Sequence, residues 1–178
     1  MSARGTLFLV AGPSGAGKDA LIRAARAVLE PLGTHLFPRR TITRARIDGD
    51  EDHIALDEPS FDAHEHAGQF ALCWRAHGLA YGVPASIGGA LARGQHVVIN
   101  VSRSVVAAAR ARFAPVRAIE VTAPPGVLAA RLSARGRESR TDIASRLARE
   151  EPFKADVVVV NDGPLYAAVA QFLAALRG

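Results

Sequence analysis

Apolar residues along the chain follow two spacings. Thr6 to Ala11 is almost continuously apolar and stops at Gly12-Pro13. A run so short and unalternated predicts a strand buried on both faces, as in a parallel sheet. From about Gly17, Leu21, Ile22, Ala25, Val28 and Leu29 recur at helical spacing, and Pro31 with Gly33 ends that helix. His96 to Val101 and Val116 to Val121 repeat the buried-strand pattern, each followed by an Ala- and Arg-rich helical pattern. Asp156 to Asn161 predicts a last strand, and about Leu165 to Leu176 a closing helix. Strands alternating with helices imply right-handed crossovers and an α/β architecture with its sheet covered on both faces. Between Arg39 and Gly82 the segments turn short and polar, rich in Asp, Glu, His and Arg, which predicts an insertion carried by the main sheet. A second polar, arginine-rich stretch, Arg135 to Asp142, joins two helical patterns and reads as a flap.

Composition narrows the picture. With 178 residues, 49% of them hydrophobic, the chain can bury one good core and is too short for two ordinary domains. A formal charge of +5 suits polyanions, small phosphorylated molecules as well as nucleic acid. Aromatics at 6% provide no stacking stripe for single strands, which argues against nucleic acid as partner. A single cysteine, Cys73, excludes an internal disulfide framework and reads as a small buried hydrophobe. No apolar stretch reaches membrane-spanning length, and the first apolar run is too short for a secretory signal, so a cytoplasmic location is expected. Of the 22 basic residues only Lys18 and Lys154 are lysines. Arginine serves nearly everywhere else, so a lysine at position 18 asks for a reason.

The reason lies in GPSGAGKD, Gly12 to Asp19, which fits G-x-x-x-x-G-K-[ST] except at its last residue. In such a P-loop the backbone N–H groups of a glycine-rich turn face phosphate oxygens, and the following helix N-terminus adds partial positive charge. A flexible ammonium reaches between terminal phosphates where a planar guanidinium fits poorly. The strand before and the helix after are the required context. Gly12, Pro13, Ser14, Gly15, Ala16, Gly17, Lys18 and Asp19 are therefore candidates for holding a nucleoside triphosphate, with ATP and Mg²⁺ as the expected cofactors. Asp19 stands where a Ser or Thr hydroxyl normally meets Mg²⁺. It either takes over that metal role as a hard-oxygen ligand or only caps the helix.

A phosphoryl-transfer enzyme also needs a second site that presents an anionic acceptor, and arginines suit it. RRTITRARIDGDEDH, Arg39 to His53, supplies them. Here R-x-x-T-R, then G-x-E, then Tyr81-Gly82 is similar to the acceptor region of guanylate kinases. RLSARGR (Arg131 to Arg137), the helical pattern carrying Arg146, and VVNDG (Val159 to Gly163) resemble that family's lid, lid helix and adenine-side loop, so the likeness covers nearly the whole chain. It implies a guanylate-kinase-like P-loop fold, three-layer α/β/α with a mainly parallel sheet. One kinase domain would span 1–178, with core 1–38, 83–134 and 150–178, an acceptor-binding insertion 39–82 and an Arg-rich lid 135–149. It also implies acceptor-phosphate roles for Arg40, Arg44, His53 and Tyr81, and an adenine-side role for Asn161. The family's guanine-reading positions are here Leu72, Val83 and Ser102, which lack the side chains for that task, so GMP is not the expected acceptor.

EDHIALD (Glu51 to Asp57), LCWRAHGLAYG (Leu72 to Gly82), Asn100 to Arg103 and the GKD ending are similar instead to the ribose 1,5-bisphosphate phosphokinases of bacterial phosphonate utilisation. That resemblance implies ATP-dependent phosphorylation of the 1-phosphate of ribose 1,5-bisphosphate, giving 5-phosphoribosyl 1-diphosphate. A base-free acceptor with two phosphates needs extra cationic or donor groups, and Arg75, His77 and Arg103 are available. Glu51 either binds an acceptor hydroxyl or pairs with Arg44. Trp74 reads as core. Lys18, Arg131, Arg135, Arg137 and Arg146 are the candidates for neutralising charge on the transferred phosphoryl group. No general base is named, because a phosphate acceptor is already ionised near neutral pH. Two other readings stay open: a guanylate-type nucleoside monophosphate kinase and a non-catalytic guanylate-kinase-like binding module.

Overall fold

The protein is known as a computed structural model that describes residues 4–45, 51–134 and 153–177. At its centre lies β1 (Leu7–Ala11), buried along its whole length. It pairs in parallel with β7 (His96–Asn100) on one side and β8 (Val116–Thr122) on the other. The two-residue β2 (His35–Leu36) extends the sheet beyond β7 and β9 (Val157–Val160) beyond β8, giving the order β2-β7-β1-β8-β9. All pairings are parallel, as unalternated apolar runs require.

Strand alternation sorts β1 between two cores. Phe8 and Val10 join Leu21 and Leu29 of α1 (Lys18–Leu29) and Phe172 and Leu176 of the closing helix α6 (Leu165–Arg177). Leu7, Leu9 and Ala11 face the other way, against Ile87 and Leu91 of α3 (Ile87–Ala92) and Val106 and Ala109 of α4 (Val106–Arg112). The fold is thus an α/β/α sandwich whose central strand delivers its C-terminal end to a glycine-rich turn. α5 (Pro125–Ala134) follows β8 and packs Leu128 into the first core. Among the described residues no helix is long and apolar enough to cross a membrane.

The polar stretch expected as an insertion is more regular than its composition predicts. It forms a second sheet, order β4-β3-β6-β5, from β3 (Thr41–Ile42), β4 (Ile54–Ala55), β5 (Phe70–Ala76) and β6 (Leu79–Pro84). β5 and β6 are antiparallel and joined through His77 and Gly78, with φ of 53° and 73°, the two successive left-handed residues of a tight hairpin. Between β4 and β5, α2 (Glu58–His66) starts at Asp57, whose carboxylate accepts from the Ser60 N–H at 2.8 Å. Phe61 of α2 stacks on Phe70 of β5 at 4.7 Å. Cys73 is only half-buried, and its thiol donates to Glu65 Oε1 at 2.9 Å. Burial, reinforced by that carboxylate, pushes the thiol up to about 11, so it stays protonated and inert at neutral pH.

Asp156 fastens the entrance of β9. Its Oδ2 accepts from the Ala118 N–H and from Arg110 Nη2, both at 2.7 Å. Burial pushes the carboxyl up, but those two donors outweigh it and hold Asp156 below its ordinary 3.8. A value lower folded than unfolded means that protonation favours unfolding. The stabilisation is therefore complete above 3.8 and is lost as pH falls through that value toward the lowered one. From roughly pH 5 down to pH 3 the urea midpoint of the parent should fall more steeply than that of Asp156→Asn; parallel acid limbs would contradict this assignment.

Candidate active site

The loop after β1 takes its shape from positions where no side chain fits. Gly12, Gly15 and Gly17 have φ of 144°, 84° and 91°, all in the region that L side chains avoid. A Cβ on Gly12 would lie 2.0 Å from the Val121 carbonyl oxygen, and one on Gly17 2.4 Å from Asn161 Nδ2. The loop therefore lies directly on the ends of β8 and β9. Asn161 is buried and donates through Nδ2 to the Ala16 carbonyl at 2.9 Å, bracing the loop from beneath. Lys18 opens α1, and its ammonium donates to the carbonyls of Gly12 and Pro13 at 2.8 and 2.9 Å, folded across the loop it follows. Arg131, on α5, brings Nη1 to 3.5 Å from the Gly15 carbonyl, so this lid candidate borders the loop. Arg135, Arg137 and Arg146 lie outside the described residues.

Asp19 is exposed in the first turn of α1, where a carboxylate is favoured by the helix N-terminus. Its Oδ1 accepts from Asn100 Nδ2 at 2.9 Å. A hard carboxylate oxygen beside a phosphate-binding loop fits Mg²⁺, which takes one or two carboxylates plus phosphate and water oxygens.

The acceptor candidates gather on the second sheet. Arg40 is buried, and its Nε donates to Glu51 Oε1 at 2.7 Å while Nη2 meets Oε2. This two-point pair engages both Glu51 oxygens with Arg40. Tyr81 and Trp74 lie directly opposite on β6 and β5 and stack at 5.2 Å with ring planes 5° apart. The Arg40 guanidinium carbon lies 5.3 and 5.7 Å from their ring centroids. Trp74 is thus half-buried, packed against the second core with a cation beside its ring. His53 is fully buried, with Nδ1 at 2.9 Å from the Glu51 carbonyl and Nε2 at 3.0 Å from the Arg44 carbonyl, so its ring ties those two residues together. Arg75 follows Trp74 and points to the opposite face of β5, where it pairs with Asp62 and Glu65 at 2.8 and 2.9 Å. His77 occupies the hairpin turn. Arg103, largely buried, donates from Nη2 to Glu120 at 3.0 Å, and its Nε has no hydrogen-bond partner among the described residues.

A cavity of about 200 Å³ is lined by Asp19 and Arg23 of α1, Asn100 of β7, and Arg39, Arg40 and Glu51 from the segments before β3 and β4, among others. Residues of the loop side and of the acceptor side thus face one space. Arg23, Arg39 and Asn100 were not among the sequence-derived candidates. Arg23 is four residues beyond Asp19 on the same helix face, a spacing that could have identified it. Leu72 and Val83, by contrast, are buried and paired in register, packed with Ile87 and Leu91 in the second core.

Comparison with known proteins follows the same lines. The chain is 49% identical over 173 residues, 97% of its length and 98% of the other's, to the ribose 1,5-bisphosphate phosphokinase PhnN of Methylobacterium radiotolerans. It is 51% identical over 177 residues, 99% of its length and 94% of the other's, to the ribose 1,5-bisphosphate phosphokinase PhnN of Acidiphilium cryptum. Among solved structures, the guanylate kinase of Anaplasma phagocytophilum superposes with a TM-score of 0.72 at 18% identity, covering 99% of this chain and 86% of that one. No protein-family model matches the chain.

Asn161→Ala tests the brace. It leaves the Ala16 carbonyl without its donor, which is expected to cost about 1–3 kcal/mol of folding stability. If half of that is felt as loosened loop geometry, the nucleotide Kd rises roughly two- to tenfold. Chemical denaturation and titration calorimetry read both; an unchanged nucleotide Kd would show that the loop keeps its shape unaided.

Proposed function

The chain belongs to the ribose 1,5-bisphosphate phosphokinase family, and from that membership we propose that it transfers the γ-phosphoryl group of ATP to the 1-phosphate of ribose 1,5-bisphosphate. The products are ADP and 5-phosphoribosyl 1-diphosphate. The observation that carries the acceptor assignment is the pairing of a cationic group, Arg40 held against Tyr81 and Glu51, with the apolar burial of Leu72 and Val83. A wall of this kind offers a phosphate charge-assisted donors and offers a purine edge nothing to hydrogen-bond.

In the proposed reaction the bond between the γ-phosphorus and the β,γ-bridging oxygen breaks as an oxygen of the 1-phosphate attacks in line. The acceptor oxygen is already ionised, so no proton has to be removed and no side chain acts as base. The work of the protein is positioning and charge neutralisation. The loop amides from Gly12 to Lys18 hold the donor phosphates, and Lys18 supplies a point charge at their end. Arg131 borders the same loop and adds a second cation; Arg135, Arg137 and Arg146 are proposed to join it. Arg40, fixed by Glu51 and by the Trp74–Tyr81 stack, presents a rigid guanidinium to the acceptor. Arg44, Tyr81 and Arg103 complete the acceptor's anion contacts, while Glu51 and His53 act by holding the wall in place. Bound Mg²⁺ would supply neutralisation of the charge on the terminal phosphates, and Asp19 is the residue that would hold it.

A coupled assay for ADP release with ribose 1,5-bisphosphate, GMP and AMP as acceptors tests the reading. Turnover is expected with ribose 1,5-bisphosphate alone. Turnover with GMP alone would assign the guanylate-type activity instead, and none with any acceptor would favour a binding module. Lys18→Ala should lower kcat by about 100- to 1,000-fold, the usual loss for a preorganised group at developing charge; a variant as fast as the parent would remove the loop from the mechanism. Arg40→Ala should raise the acceptor KM far more than the ATP KM, and equal changes in the two would contradict its place on the acceptor side.

A further inference from the structure

Asp19 and Asn100 lie 81 positions apart in the chain, yet their side chains are hydrogen-bonded, Asn100 Nδ2 to Asp19 Oδ1 at 2.9 Å. Asn100 is the last residue of β7, and it pairs in register with Val10 of β1. The end of the neighbouring strand and the first turn of the P-loop helix therefore share one spot. In P-loop nucleotide-binding proteins two groups serve the metal: a neutral Ser or Thr hydroxyl directly after the loop lysine, and an aspartate from a second strand segment. Here the residue after the lysine is the carboxylate and the strand-end residue is the neutral one. We propose that Asp19 and Asn100 form an exchanged metal-binding pair, in which the loop supplies the carboxylate for Mg²⁺ and Asn100 is the positioning residue that holds it.

Charge explains why the two positions must change together. A Ser at 19 beside Asn100 would leave this spot without a carboxylate. An Asp at both would set two carboxylates within hydrogen-bonding distance of each other, next to a triphosphate, with the amide donor gone; like charges that close cannot both ionise cheaply. Either the usual arrangement or its mirror carries one negative charge, and the chain has the mirror. The Asn100 amide also does what an aspartate there could not: it donates to Oδ1 and so fixes the rotamer of an exposed side chain. Groups that orient a metal ligand in this way commonly matter about 10- to 100-fold in metal affinity.

This inference rests on the proposed kinase reading only for the binding of a metal–nucleotide, not for the acceptor. It is tested by the ratio of ADP Kd values without and with Mn²⁺, taken by titration calorimetry, with bound Mn²⁺ counted by electron paramagnetic resonance. Asp19→Ser should lower that ratio at least about tenfold, and Asn100→Ala, which keeps the carboxylate but not its donor, about tenfold. Asn100→Asp should weaken metal-free ADP binding by about tenfold through the second carboxylate. The double variant Asp19→Ser/Asn100→Asp should restore the ratio to within about threefold of the parent, because it rebuilds the usual pair. Circular dichroism checks that each variant folds, and Asn100→Ala provides a readout independent of the double exchange. A double variant no better than Asp19→Ser, or an Asp19→Ser protein with the parental ratio, overturns the proposal. A parent that binds no ADP overturns it together with the nucleotide-site reading. The expected pattern with no turnover of ribose 1,5-bisphosphate supports it and overturns only the acceptor assignment.

Discussion

The arrangement depends on one close approach: the P-loop backbone lies so near the ends of β8 and β9 that a single added carbon would collide with them. An anion site made of backbone N–H groups needs those groups turned inward, and that requires positive φ at Gly12, Gly15 and Gly17. Positive φ alone would leave a supple turn. The Asn161 amide under Ala16 and the Val121 carbonyl under Gly12 convert it into a fixed one. The core contributes indirectly, because β1 and β8 are held by side chains packed on both faces of the sheet and β9 by Val157 and Val159 on one. The shape of the loop is thus a consequence of strand spacing, and the strand spacing is a consequence of the apolar runs.

The acceptor wall is built on a different principle. Its cation, Arg40, is buried, and a buried guanidinium is tolerable only when its donors are met. Glu51 meets two of them, and the Trp74–Tyr81 stack lies against the planar face. The pair removes net charge locally but gains direction: a rigid guanidinium loses little entropy when a phosphate arrives. The His53 ring lies between the carbonyls of Arg44 and Glu51.

Legibility in the sequence followed burial. β1, β7, β8 and β9 were readable to within a residue or two because each is rich in β-branched and other apolar residues, in β1 as an unbroken run buried on both faces. The hairpin of β5 and β6 was not, since its faces differ: Trp74 meets Tyr81 on one side while Cys73 and Arg75 meet α2 on the other, so the composition reads as mixed and polar. Single residues divided in the same way. Lys18 and the loop glycines carry their chemistry in local spacing. The partner of Glu51, the half-buried position of Trp74 and the meeting of Asp19 with Asn100 are set by tertiary contacts and leave no local trace.

Specificity in this fold is changed less by adding groups than by filling space. Reading a purine edge requires polar side chains standing in a site with their hydrogen bonds unmet until the base arrives, and that unmet state is costly when the wrong ligand binds. Leu72 and Val83 close such positions by joining the hydrophobic core, Val83 with no exposure at all. An apolar side chain there both stabilises the sheet and deletes the readout, so a single substitution of either back to a polar residue would bury an unpaired group without recreating a site. In the proposed function, discrimination against nucleotides would then be carried by the packing of Leu72 and Val83 into the core, with the arginines recognising charge alone.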